Sequence, residues 1–242
     1  MPAQSALLAA VASQAAHNAQ SLYRAVAGVT TFRARDPDPN AVDGGRLLGL
    51  RIEVVARARF LRPYYVLLNR PYAGAPALRV HRHTVPAPVP LAGLAARHLP
   101  APAAGSSDPG PAGEAGAPRQ DLSRFVHELR KEVARYHARL GSVADLRRAA
   151  GLEARTAKAK GKQRQTRPED VVHVAPADAE AKQVEFGWAD GRTGRMVLGG
   201  DGIVQSLVVF GENGRDRASA RTLLAEGNRV EDVVRVLRAA ST

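Results

Sequence analysis

Residues Val29–Pro100 read VTTFRARDPDPNAVDGGRLLGLRIEVVARARFLRPYYVLLNRPYAGAPALRVHRHTVPAPVPLAGLAARHLP. Four strand-like runs lie in this block: Val29–Arg35, Arg46–Arg57, Tyr64–Asn69 and Leu78–Val85. In the second run Leu48, Leu50, Ile52 and Val54 alternate with Arg51 and Glu53, the period of a strand with one buried face. Tyr64–Asn69 is almost continuously apolar, which predicts burial on both faces. DPDPN (Asp36–Asn40) forms a rigid turn, because Pro37 and Pro39 cannot continue a ladder. Pro86, Pro88 and Pro90 enforce an extended turn, and Leu91–His98 follows as a short helix. Strands clustered before helices predict an α+β domain with an antiparallel meander.

The block divides the rest of the chain. Residues 1–28 form an N-terminal helix with Leu8, Val11, Ala15, Leu22 and Ala25 near one stripe, stopped at Gly28. Residues 29–100 are a first domain. Residues 101–118 hold too little large apolar surface to offset ordering entropy and read as a disordered insertion. Residues 119–152 form a long connecting helix. Its Leu122, Val126, Leu129, Val133, Tyr136, Leu140 and Val143 are spaced 4-3-4-3-4-3, a three-heptad seam that suits either a coiled coil or a helix lying on a sheet. Residues 153–168 are a basic linker.

A second domain covers residues 169–242. Its strands are expected at Asp170–Ala175, Gln183–Trp188, Gly194–Leu198 and Ile203–Phe210, with a hairpin turn at Gly199–Gly202. Helices are expected at Arg215–Glu226 and Val230–Ala240. The order of the first domain recurs, so the chain reads as two similar α+β domains in tandem.

Composition narrows the function. The chain has 242 residues, no cysteine and a net charge of +12. Disulfides, thiol catalysis and Cys-based zinc sites are excluded, and a reducing compartment is expected. No apolar run approaches the ~20 residues of a membrane span, and the N-terminus lacks the basic and apolar regions of a secretory signal. Residues 46–98 carry nine Arg against the single acid Glu53, while residues 169–242 are mildly acidic. This asymmetry favours an acidic partner, nucleic acid or protein.

No constellation supports catalysis, and no cofactor or small-molecule substrate is expected. His81 and His83 share a strand face and, with His98 or His127, offer nitrogen ligands, yet no acid lies within ten positions of them. Asp36, Asp38 and Asn40 imitate the start of a calcium loop, but Ala41 and Leu47 stand where the loop needs Gly and Glu. Gly199–Gly202 lacks the Lys-Ser/Thr of a phosphate loop. Arg79, His81, Arg82 and His83 are candidates for an exposed basic patch. Lys158, Lys160, Lys162 and Arg164 form a solvated linker, a nuclear import signal or a weak nonspecific DNA contact. Trp188, Val208, Phe210 and Leu237 are placed in a heterodimer core or in the second domain's own core.

The chain resembles the centromere protein O (CENP-O) family of inner-kinetochore subunits, most closely its fungal members. The resemblance is carried by Gly28–Val54, Phe60–Pro71, Leu78–Pro100 and Gln120–Leu140, and more weakly by Phe186–Arg217. It implies tandem RWD domains, with VPAPVP (Val85–Pro90) at the Pro-punctuated loop and Thr84 where a tyrosine often stands. It also implies a non-enzymatic nuclear scaffold at kinetochores. Such proteins pair with a CENP-P-like tandem-RWD protein and join CENP-Q-like and CENP-U-like coiled-coil subunits, the COMA complex of fungi, in chromosome segregation. The alternative reading is a basic chromatin- or RNA-binding module acting through residues 151–168 and the Arg-rich strands. A third is an adaptor for ubiquitin-pathway or kinase partners, by fold analogy.

Overall fold

The computed structural model describes residues 2–72, 75–102, 119–152 and 167–240. The fold is α+β with antiparallel sheets, and the chain divides into two compact units. The first comprises Met1–Val55, Arg59–Pro86 and Pro90–Arg130; the second comprises Ala56–Ala58, Ala87–Val89 and Lys131–Thr242. The insertion expected at 101–118 lies outside the described residues except for Ala101 and Pro102. The basic linker does too, except for Arg167 and Pro168, so nothing structural attaches to Lys158, Lys160, Lys162 or Arg164.

In the first unit, α1 (Pro2–Val26) precedes β1 (Val29–Arg35) and β2 (Arg46–Ile52). After a short pair, β3 (Val55–Ala56) and β4 (Arg59–Phe60), come β5 (Tyr64–Asn69), β6 (Arg79–His83) and α2 (Leu91–His98). The sheet order is β1-β2-β5-β6, antiparallel throughout. The second strand was expected to reach Arg57 but stops at Ile52. Ile52 pairs with Val29 on one side and Tyr64 on the other, and neither neighbouring strand continues past it. The chain then reverses through Arg57 and Ala58, both with positive φ. Leu50, Ile52, Val66 and Leu68 are fully buried, as are Phe125 and Leu129 near the start of α3 (Leu122–Ala149).

The second unit is a five-stranded antiparallel sheet of β7 (Val171–Pro176), β8 (Gln183–Trp188), β9 (Thr193–Leu198), β10 (Val204–Gly211) and β11 (Gly214–Arg215), in the order β11-β10-β9-β8-β7. The later part of α3, with α4 (Arg217–Leu223) and α5 (Val230–Ala240), supplies the helical side of one core. Val143 and Leu146 of α3, Val184, Phe186, Met196 and Val209 of the sheet, and Val233 and Leu237 of α5 belong to that cluster. The α5 stripe of Val230, Val233, Val234 and Leu237 is buried throughout, as its i, i+3, i+4, i+7 spacing requires. The fourth helix is shorter than expected. Asp216 accepts a hydrogen bond from the Ser219 backbone N–H at 3.0 Å, and this N-cap fixes the helix start at Arg217.

Candidate interaction site

Among the candidate site residues, sequence and structure part on the basic strand β6. Arg79, Arg82 and His83 are exposed, whereas His81 is half-buried. Leu67 pairs with Arg82 and Leu68 with Val80, which leaves His81 as the extra residue of a β-bulge. Its Nε2 lies 2.8 Å from Oδ2 of Asp36, a residue 45 positions away, and Asn69 Nδ2 approaches its Nδ1 at 3.4 Å. His81 is thus drawn out of the basic patch and into contact with a carboxylate whose side chain is only 8% exposed. The Asp38 backbone N–H, above all, holds the Asp36 carboxyl below its ordinary value, helped by His81 and the positive Arg82.

The same loop disposes of the calcium-like pattern. Asp36 Oδ1 accepts from the Asp38 backbone N–H at 3.2 Å, and Asp38 Oδ1 from the Asn40 N–H at 2.9 Å. These carboxylates hold the turn together. Among the described residues no three His, Cys, Asp or Glu side chains gather to hold a metal ion, and no helix is long and apolar enough to cross a membrane.

The helical candidates separate by burial. On α3, Leu129 and Val133 are fully buried, while Leu122, Val126, Tyr136 and Leu140 are half-buried. The buried stripe also takes in Phe125, Arg139, Val143 and Leu146, so it drifts off the strict heptad. That drift is expected of a straight helix on a sheet, because 3.6 residues per turn does not divide seven. Arg139 is buried and donates from Nε to the Glu180 carbonyl at 2.8 Å, and Arg147 donates to the Val174 carbonyl at 2.9 Å. These two guanidiniums bind α3 to β7 and the loop after it. On α1, by contrast, residues 4–19 are all exposed, and Leu7, Leu8, Val11 and Leu22 present an uncovered apolar surface.

Trp188 and Leu237 are buried in the core of the second unit. Arg192 lies over the Trp188 ring at 5.5 Å and pairs with Asp190 at 2.7 Å, a cation–π contact anchored by an ion pair. Val208 and Phe210 are not part of that core. Val204 pairs with Leu198 and Ser206 with Val197, so Gln205 is an extra residue and the inward phase passes to Leu207 and Val209. Val208 is half-buried and Phe210 is 51% exposed on the opposite face. Strict alternation from Val204 would have turned both inward, and nothing in the sequence marks the bulge.

The described residues thus form two antiparallel α+β units, with exposed apolar side chains along α1 and at Phe210 of β10. The family follows from the sequence as a whole: the model of the Cenp-O kinetochore centromere component family matches residues 29–237, and the chain belongs to that family. It is therefore a kinetochore component of the centromere, and its place is the nucleus. No curated protein matches it.

Proposed function

We propose that the protein is a non-enzymatic scaffold subunit of the inner kinetochore, its two units being RWD-like domains. In this reading it pairs with a CENP-P-like tandem-RWD partner and docks CENP-Q/CENP-U-like coiled-coil subunits, as in the fungal COMA complex, for chromosome segregation. The observation that carries the reading is the uncovered apolar surface of α1 in a chain of this family. Leu7, Leu8, Val11 and Leu22 are exposed on a helix long enough for a coiled-coil contact. Burying such side chains is worth on the order of 1.5–3 kcal/mol each, and a partner helix supplies that burial. Leu122, Val126, Tyr136 and Leu140, each half-buried on α3, are the further contact candidates. The basic strands and rims steer acidic partners toward these faces.

The test is co-purification of the tagged full chain from nuclease-treated nuclear extract at high salt, with bound proteins identified by mass spectrometry. The expected result is a second tandem-RWD protein together with coiled-coil centromere subunits, all lost when Leu8 and Val11 are replaced by Asp. Binding recovered only with nucleic acid at low salt would overturn the reading in favour of a chromatin- or RNA-binding module.

A further inference from the structure

The sheet of the second unit has two unlike faces. One is covered by α3, α4 and α5. The other carries, strand by strand, Arg215 on β11; Phe210, Val208 and Ser206 on β10; Thr193, Arg195 and Val197 on β9; and Gly187 and Glu185 on β8. Glu185, Thr193, Val197, Val208 and Phe210 border a hollow of about 390 Å³. The bulge at Gln205 is what turns Val208 and Phe210 toward this hollow. Exposing a phenylalanine and a valine when the unshifted register would bury them is costly, and re-aiming side chains is a recognised use of a bulge.

The charges say what covers the face. Arg215 pairs directly with Phe210 across β10 and β11, and Arg195 with Val208 across β9 and β10. Both arginines are exposed, and neither makes an ion pair among the described residues. Arg195 therefore stands on the rim of the hollow and Arg215 beside Phe210, neither with an ion pair among the described residues, and Glu185, opposite Arg195 on β8, is the carboxylate on the same rim. We propose that this face docks an acidic protein segment. A large apolar side chain of the segment enters the hollow beside Phe210 and Val208, and its Asp or Glu side chains meet Arg195 and Arg215. Guanidinium forks suit carboxylates in two-pronged contacts. This site lies on a different element from the α1 surface and does not depend on the pairing proposed above.

The experiment uses the full chain with the photocrosslinker benzoylphenylalanine at Thr193. The probe is a synthetic Leu/Glu amphipathic peptide about five helical turns long, compared with its Leu/Lys counterpart and with duplex DNA. The Leu/Glu peptide is expected to crosslink. The yield should fall at least about fivefold in an Arg195→Glu, Arg215→Glu double variant and in Phe210→Ser, as for loss of central charged and apolar contacts. Circular dichroism of these surface variants should match the parent. Equal labelling of both peptides, labelling that ignores the variants, preferential labelling of DNA, or chain-to-chain crosslinks that exclude the peptide would each overturn the proposal.

Discussion

Gly44 and Gly45 are adjacent and both have positive φ, yet they differ in what a side chain would meet. A Cβ on Gly44 has nothing within 4 Å, whereas one on Gly45 falls 2.6 Å from the Asp36 carbonyl oxygen. Asp36 donates its own N–H to the Gly45 carbonyl at 2.8 Å, so this backbone cannot retreat without loosening the loop that aims Asp36 at His81. Gly44→Ala is expected to cost about 1–2 kcal/mol, the left-handed penalty alone. Gly45→Ala adds a backbone clash and should cost roughly 1–3 kcal/mol more. Thermal unfolding of the two variants compares them directly. Asp216 supports a prediction in pH. Its carboxyl is held below its ordinary 3.8 chiefly by the Ser219 side chain, then by the Ser219 backbone N–H and by Arg192. The unfolded chain therefore binds a proton at Asp216 more readily than the folded one. The stability this group contributes is present above 3.8 and is lost as pH falls below it toward the folded value. Trp188, the only tryptophan, is buried in the same unit beneath Arg192 and reports its unfolding by fluorescence. Asp216→Asn should lower the midpoint near neutrality, and the gap from the parent should close in acid.

At the scale of elements, α3 shows which interactions a sequence announces and which it conceals. The apolar part was legible: Leu129, Val133 and Val143 repeat at helical spacing and are buried. Arg139 was not, because a buried arginine whose partner is the Glu180 backbone carbonyl has no sequence signature. Strands tell the same story. Val29–Arg35, Tyr64–Asn69 and Gln183–Trp188 were readable to the residue, since alternation or continuous apolarity reports burial wherever pairing is regular. The bulges at His81 and Gln205 were not, since one extra residue inverts the faces of the later strand positions and alters no residue type. That single effect explains both why His81 leaves the basic patch for Asp36 and why Phe210 lies outside the second unit's own core, one of the two places expected for it. Arg139 can be tested against a merely apolar role. Arg139→Ala should destabilise the second unit by about 1–3 kcal/mol, because the Glu180 carbonyl loses its donor. Arg139→Lys should recover little of it, since the bond comes from Nε of a planar fork that an ammonium does not reproduce. Denaturant unfolding followed at Trp188 measures both.

At the scale of the whole molecule, the two units and α1 carry different burdens. Each unit has buried residues on sheet and helix together, whereas α1 has all of residues 4–19 exposed and no Asp, Glu, Lys or Arg among them. The order of the longer helices and strands was legible, because it depends on local periodicity and on proline and glycine punctuation, whereas the two-residue strands β3, β4 and β11 were not. Which faces remain free was not, since freedom is a property of what the rest of the fold fails to cover. A helix without tertiary cover owes its order to propensity alone, whereas most helical stability in proteins comes from packing an amphipathic face. The many alanines of α1 favour the helix, and Leu7, Leu8, Val11 and Leu22 gain by burial only when a second surface arrives. Hydrogen exchange on the isolated full chain should find the amides of residues 4–19 close to unprotected, while those of β5 and β8 are held by their units. Addition of the proposed coiled-coil partner should protect the α1 amides and leave β8 as it was. Deletion of residues 1–26 should leave the Trp188 unfolding midpoint unchanged and abolish that partner's binding. Strong protection of α1 in the monomeric chain, or partner binding that survives the deletion, would mean that α1 is covered from within and that the docking surface lies elsewhere.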